Sequence, residues 1–342
     1  MTKEKPVLIL PSDTGGSGFY RLRWPGEACM AAGKPVLVQN RMPKIVVDGQ
    51  GNVQGLNLGN FECIVLQRPG SYQIPQVIDI LHENGVKVVI DMDDSMSKID
   101  PRNPVFKHYD PRINHKRNWL HVAESCKKAD LVTVTSEALA EEYGSHGRVK
   151  IIRNHIPKRY LDIPRPENAV PIVTWAGWTV THPLDLFVVG DSVAKAVSDT
   201  KAIFAAFGDL KIFNDLRIKY QPPNQHWGFV EISEYARNLV KADIGLVPLK
   251  NTSFNKSKSG LKILEYSSLG IVPVASPTPE NMVLINQGMG VVAHTPDEWY
   301  KRIKELIEDR EYRSEMSKKA REAASGWVIE NNWNKWFEPW SE

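Results

Sequence analysis

Four polar residues in one short stretch carry the most chemistry in this chain. They are Lys258, Ser259, Lys262 and Glu265, within Lys256–Gly270. At about 100° per residue, Leu261, Leu264, Ser268 and Leu269 share one arc of a helix, and Glu265 falls inside that arc. A carboxylate on a buried face needs a partner or a ligand. Ser259 reads as the N-cap and Gly270 as the C-cap. Lys258 precedes the helix and Lys262 stands in its first turn, so both add to an N-terminus that already favours anions. Ser259, Gly260 and Leu261 are candidate ligands at that N-terminus. The stretch therefore offers an anion site and, about a turn later, a hydroxyl acceptor. A nucleoside diphosphate presents both partners: two phosphates and a ribose diol. A core helix with a capped start and a Lys262–Glu265 surface pair fits the same spacing.

A second candidate lies in the first half of the chain. The predicted strand Val86–Ile90 is followed directly by Asp91, Asp93 and Asp94. Ligands of open parallel sheets gather at the carboxyl ends of strands, so three acids there suggest a metal site or an acceptor-binding edge. Capping of the following turn is the structural alternative. Further upstream, Val7–Leu10 reads as a strand. It leads into a turn over Pro11–Gly18 and a helix over Phe19–Ala32 interrupted near Pro25. The glycines do not form G-x-G-x-x-G, which weakens a dinucleotide site. Arg21 and Arg23 follow at once, as ligand contacts or as solvated helix charges. Between Asp100 and Lys128, seven Lys/Arg are interleaved with Phe106, Tyr109 and Trp119. Such a mixture can hold a nucleic-acid backbone, or it can be a solvated surface.

These sites need a scaffold of two domains, the expectation for 342 residues. A hydrophobic fraction of 42% and a charged fraction of 24% belong to an ordinary globular protein. No apolar run approaches the ~18 residues of a membrane span. Met1–Lys5 runs straight into a short strand and lacks a secretory cleavage pattern. Three widely spaced cysteines suit reduced thiols, and with them a cytoplasmic location, better than disulfides or zinc. The first 165 residues carry a net charge of +5 and the remainder −2. The basic surface, and with it an acidic partner, belongs to the first half. No internal repeat stands out.

Strand and helix patterns alternate along the whole chain, the signature of an α/β protein. The further strand candidates are Val36–Val38, Cys63–Leu66, Ala129–Ser136, Val149–Pro157, Pro171–Trp178, Ile203–Gly208, Ala242–Leu249, Ile271–Ala275 and Gly288–Val292, with a strand end and loop at His226–Val230. The predicted helices include Ile74–Asn84, Trp119–Ala129, Asp185–Val197, Phe213–Tyr220, Ile232–Lys241, Pro296–Asp309 and Arg310–Ser325. Asp48–Asn60 reads as a hairpin or loop. The expected division is 1–160, a proline-edged linker at 161–170, 171–325, and a terminal helix at 326–342. In that terminal helix Trp333, Trp336 and Trp340 define one face to be buried.

Pro248-Leu249, Lys258-Ser259, Lys262, Glu265-Tyr266, Leu269-Gly270, Pro273-Val274 and Ser276 together resemble the donor stretch of retaining GT-B glycosyltransferases of the family-4-like group. The A-D-x-V-x-V-x-S run at 129–136 and the G-x-x-x-x-H-x-x-D run at 177–185 extend the resemblance. It implies two Rossmann-like domains facing a central cleft, with the last helix crossing back to the first domain. It also implies transfer of a hexosyl or pentosyl group from a nucleotide diphosphate sugar, as a donor substrate rather than a resident cofactor. In that family the helix N-terminus binds the diphosphate and the residue at Glu265 takes the ribose hydroxyls. The loop at Gly228, Phe229 and Val230 wraps the nucleobase, and Gly16, Ser17, Gly18 and Gly177 lie near the phosphates and sugar. Asp93, Asp94, Lys258 and His182 take the catalytic roles. The pair at Asp93 and Asp94 needs no metal, although its order resembles a D-x-D motif. The family's earlier acid, which contacts the donor sugar, is replaced here by Ser257. The acceptor stays open, with modified DNA a candidate because the first domain is basic. A nucleotide-sugar epimerase of the same fold, or a non-catalytic sugar-nucleotide- or DNA-binding protein, are the alternatives. Oligomeric state is not readable from the sequence.

Overall fold

The computed structural model describes residues 5–57 and 59–342. Met1–Glu4, part of the start expected to lack a secretory cleavage pattern, and Leu58 in the loop Asp48–Asn60, lie outside the described residues. The chain divides into two compact units. The first takes in residues up to Asn154, with Ser257–Ser259 and Ile329–Glu342; the second takes in His155–Lys256 and Gly260–Val328.

The first unit holds a six-stranded parallel sheet of β1 (Val7–Leu10), β2 (Val36–Val38), β5 (Cys63–Gln67), β6 (Lys87–Met92), β7 (Leu131–Val134) and β8 (Val149–Ile151). Their order is β2-β1-β5-β6-β7-β8. A small antiparallel pair, β3 (Ile45–Val47) and β4 (Val53–Leu56), makes a hairpin that begins ahead of the stretch Asp48–Asn60 expected as a hairpin or loop and has only its second strand inside it. Strands buried on both faces read as continuous apolar runs, as Val7–Leu10 and Cys63–Leu66 do. The order of the sheet reverses between β1 and β5, the kind of switch point at which ligands bind.

The second unit repeats the plan with β9 (Ile172–Gly177), β10 (Ile203–Gly208), β11 (Gln225–His226), β12 (Ile244–Val247), β13 (Val272–Ala275) and β14 (Val291–Val292). All are parallel, in the order β11-β10-β9-β12-β13-β14. In rank along the unit this is the 3-2-1-4-5-6 order of dinucleotide-type sheets, with the switch point between β9 and β12. Val173, Trp175, Val193, Phe204, Ile244, Val272 and Trp299 form its core. Arg165, in the expected linker, donates to Asp243 at 2.6 Å and to Ser317 at 2.8 Å, so this part of the linker is held within the unit.

Several boundaries differ from the sequence reading for local reasons. The helix expected over Asp185–Val197 is a 3-10 turn, Leu186–Val189, and then a helix, Ser192–Thr200. Gly190 between them has φ +54°, which no continuing helix allows. The helix expected at Phe213–Tyr220 is Lys211–Asp215, and it stops before Arg217, whose φ is +56°. Strand β6 runs on through Asp91 and Met92, because its ladder to β7 continues with Asp91 opposite Thr133 and Met92 opposite Val134. Asp91 is therefore inside the sheet and not beyond its end.

The last helix, Asn334–Ser341, buries Trp336 and Trp340 in the first unit. Trp333 is half-buried beneath Lys34, whose Nζ lies 5.3 Å from the indole centroid. Lys87 Nζ donates to Pro339 O at 2.9 Å, which ties this helix to the start of β6. No helix among the described residues is long and apolar enough to cross a membrane.

Candidate functional site

In the second unit the site is built on the helix Leu261–Ser268. Gly260 is its N-cap, without a side-chain cap bond. Ser259 is thus not the cap; its Oγ accepts from Asn154 Nδ2 at 2.8 Å within the first unit. The other end follows glycine chemistry: Gly270, two residues past the helix, has φ +71°. Tyr266 seats the helix on the sheet. Its hydroxyl accepts from Ala176 N at 3.2 Å, at the end of β9. Its ring lies against Gly245 of β12, where a Cβ would come within 2.5 Å of it. One face of the helix is thereby fixed across β9 and β12, the switch point of the sheet.

That seating presents Lys262 and Glu265, three residues apart, on adjoining turns. Lys262 Nζ stands 2.7 Å from Glu265 Oε2 and 2.7 Å from Tyr235 OH, and Tyr235 OH donates to the same Oε2 at 3.1 Å. The Glu265 side chain is 5% exposed and that of Lys262 32%. The pair read as a surface alternative therefore exists, but its carboxylate is buried. Burial opposes the charge on Lys262, yet Glu265 beside it more than reverses this and raises the lysine pKa. Tyr235 is pushed well above the usual phenol range by burial and by Glu265. Its ring stacks on Phe207 at 5.2 Å and 23°. Sequence reasoning missed Tyr235. Its signal is weak: one aromatic on the helix Ile232–Leu239, thirty residues from the carboxylate it meets.

The other expected donor-side residues lie in the same unit. Gly177 ends β9, and Phe229 is 65% exposed and meets Trp178 edge-on at 6.2 Å. Val230 is exposed as well. His182 is held by Asp185, Nδ1 to Oδ2 at 3.0 Å, with Trp175 edge-on at 5.7 Å. Asp185 is itself fixed by Asn255 Nδ2 at 2.6 Å and by the Lys250 amide at 3.0 Å. Lys258 is half-buried and counts with the first unit, as does Ser257, whose carbonyl accepts from Ser136 Oγ at 2.8 Å.

In the first unit the three acids separate. Asp91 is fully buried and takes a two-pronged bond from Arg21, at 3.0 and 2.6 Å, and another from Thr133 Oγ1 at 2.7 Å. Arg21, 1% exposed, also donates to Ile152 O and Asn154 Oδ1. This arginine is neither a solvated helix charge nor open to a ligand. It points inward from a widened π turn, Phe19–Arg23, just ahead of Pro25. Proline has no N–H for the regular ladder, and a π turn is one way a helix absorbs that loss.

Asp93 and Asp94 share Arg68, which bridges both carboxylates. Ser17 Oγ donates to Asp93 at 2.5 Å, and Gln67 Nε2 donates to Ser17 Oγ at 2.9 Å. Burial works against the Asp93 charge, but Arg68 and Ser17 outweigh it and hold the carboxyl below its usual range. Arg68 sits at φ +47°, a left-handed conformation uncommon for arginine, at the carboxyl end of β5. Gly18 is required by the chain itself: a Cβ there would meet the Asp13 carbonyl oxygen at 2.1 Å. Among the described residues no group of three His, Cys, Asp or Glu side chains could hold a metal ion.

The basic segment is largely occupied with itself. Arg102 pairs with Asp100, Arg112 with Asp110, and Lys128 with Asp79. Arg117 lies over the Tyr109 ring and donates to its hydroxyl at 2.7 Å. A cavity of about 800 Å³ opens at the other end of the sheet, near His82, Lys87, Asp130 and Lys150. It lies away from the strand ends where α/β sheets bind ligands. The three cysteines are free and buried, and burial pushes the thiols of Cys29 and Cys63 up to about 12.

Two like sheets, one with a lysine–glutamate pair at its switch point, can be set beside known proteins. Residues 219–323 match the family model described as glycosyl transferases group 1. The structure is similar to the Anabaena protein HepE solved in complex with UDP, with a TM-score of 0.64 at 13% identity over 97% of this chain and 98% of that one. The fold is GT-B. Sucrose-phosphate synthase from Thermosynechococcus elongatus is similar too, with a TM-score of 0.63 at 14% identity over 98% of both chains. TarM aligns at TM-score 0.55 and 15% identity, over 82% of this chain and 55% of its own. No curated protein matches the chain in sequence.

Proposed function

We propose that the protein transfers a hexosyl or pentosyl group from a nucleotide diphosphate sugar to an acceptor hydroxyl, with retention and without a metal. One observation carries this reading: Glu265, a buried carboxylate, sits beside Lys262 in the first turn of a helix seated on the switch point of the second sheet. The helix amides and Lys262, with Lys258 earlier in the chain, would meet the negative charge that develops on the departing diphosphate. Glu265 would take the ribose diol. Phe229 and Val230 would meet the base, with Gly177 close to phosphate and sugar. HepE has been solved with UDP and with UDP and glucose, which supports a nucleotide-sugar donor here.

Retention places attack on the face from which the diphosphate leaves, so no second carboxylate at glycosidase spacing is needed. Asp93 is a poor base because Arg68 and Ser17 keep it ionised and occupied. The acceptor hydroxyl is assigned to Asp94, and His182 to the sugar. The paired state of Arg102, Arg112, Arg117 and Lys128 weakens the case for a nucleic-acid acceptor without removing it. Buried, unpaired thiols suit a reducing, cytoplasmic setting.

Calorimetric titration of UDP, ADP, GDP and TDP tests the donor reading. At least one should bind, and Glu265→Ala should weaken it by roughly 1–3 kcal/mol, the scale of a charged hydrogen bond. A chelator should leave binding and turnover intact. Loss of turnover in EDTA with rescue by Mn²⁺ would overturn the metal-free mechanism.

A further inference from the structure

The Lys262–Glu265–Tyr235 triangle is not arranged to receive a diol. A carboxylate has about four lone-pair positions, two on each oxygen. Both donors of the triangle converge on one oxygen, Oε2, at 2.7 Å from Lys262 and 3.1 Å from Tyr235. A diol read with one hydroxyl on each oxygen therefore finds Oε2 already taken.

The two donors differ in freedom. Tyr235 is held through its ring, stacked on Phe207 at 5.2 Å. Lys262 is a point charge on a flexible stem with 32% of its side chain exposed. It stands in the first turn of the helix Leu261–Ser268, where an anion is favoured. A diphosphate carries more charge than one carboxylate, so it can compete for the ammonium. The ring-stacked tyrosine has no such alternative partner.

We infer that the donor site is masked by its own lysine: Lys262 covers the hydroxyl acceptor of Glu265 until a diphosphate draws it away, and Tyr235 keeps the freed carboxylate in place. This rests on the donor reading above. Its consequence is that recognition of phosphate and recognition of ribose are coupled, so a nucleoside without phosphates meets a covered carboxylate.

The test takes the nucleoside diphosphate that binds best in the titration above, its parent nucleoside, and the 2′,3′-dideoxy form of each. The nucleosides are measured by competition. Against the wild-type protein, losing both hydroxyls should weaken the diphosphate about tenfold or more, the scale of one charged hydrogen bond, and the nucleoside less than about threefold. Lys262→Met should weaken the diphosphate yet tighten the parent nucleoside several-fold, because Glu265 is uncovered. Tyr235→Phe keeps the stacked ring. It should lower the affinity of the diphosphate and leave its dideoxy form unchanged, with an unaltered melting temperature showing that the fold survives. Equal hydroxyl effects in nucleoside and diphosphate overturn the masking. So does a nucleoside that binds Lys262→Met no better than wild type, including one that binds neither. If Glu265→Ala leaves diphosphate binding untouched, the donor reading itself fails, a distinct result.

Discussion

Two charge clusters stand at the carboxyl edges of two like sheets, and they are built for opposite purposes. In the first unit Arg68 bridges Asp93 and Asp94, with Arg21 and Asp91 paired behind it. Both cations are arginines, whose planar forks fix several partners at once. In the second unit the cation is Lys262, about a third exposed and joined to one carboxylate and one phenol. A lysine is a compact charge that can turn to a new partner. The first cluster is scaffold with one carboxylate, Asp94, towards the surface; the second has a movable part. The choice of arginine or lysine marks where the molecule is fixed and where it can respond.

The sharpest way to break this contrast is at Arg21. Arg21→Met leaves the buried Asp91 without its main partner. Breaking a buried pair by removing one member costs about 3–5 kcal/mol. Urea unfolding should show that loss, while nucleotide binding by the folded fraction stays near wild type because Tyr235, Lys262 and Glu265 lie in the other unit. A loss below about 1 kcal/mol would mean that the Arg21 cluster is not the scaffold described.

The clusters should also fail at opposite ends of the pH scale. The Asp93 pKa is lowered in the fold, so its stabilisation is present above the ordinary carboxylate value near 4 and is lost as pH falls through the folded value. The Lys262 pKa is raised, so its stabilisation is complete below the ordinary lysine value near 10.4 and is lost as pH rises through the folded value. Denaturation of wild type and Asp93→Asn should therefore converge in acid and stay apart at pH 6–8. A gap that does not shrink at all as pH falls below the ordinary carboxylate value would show that Asp93 stabilises by something other than its charge.

These contrasts explain what the sequence could reveal. Apolar strands buried on both faces, such as Val7–Leu10 and Ile203–Gly208, announce themselves as runs, so the alternating α/β plan was readable. Glu265 was readable because it breaks a helical apolar arc. Tyr235 was not, because a hydrogen bond across thirty residues leaves no local pattern. The same limit applies to Arg21 and Asp91, seventy residues apart. Three acids in four positions looked like one cluster, and only strand pairing to β7 shows that Asp91 belongs inside the sheet. Arg102, Arg112, Arg117 and Lys128 of the basic segment looked available because their partners, Asp100, Asp110, the Tyr109 hydroxyl and Asp79, are defined by folding.

The smallest expected change in stability sharpens the comparison most. Lys262→Arg exchanges a movable point charge for a fork while keeping the charge itself. A partly exposed pair contributes little, so stability should shift by less than about 1 kcal/mol. Function should respond differently. An arginine can hold a carboxylate through two parallel bonds, which would strengthen the cover over Glu265 and make it harder for a diphosphate to draw the cation away. Binding of the nucleoside diphosphate should then weaken, and removing its ribose hydroxyls should matter less than in wild type. Thermal melting paired with calorimetric titration separates the two effects. If Lys262→Arg binds the diphosphate as tightly as wild type, with the full penalty for the dideoxy form, a lysine is not needed there and the contrast between a fixed and a movable cluster loses its basis.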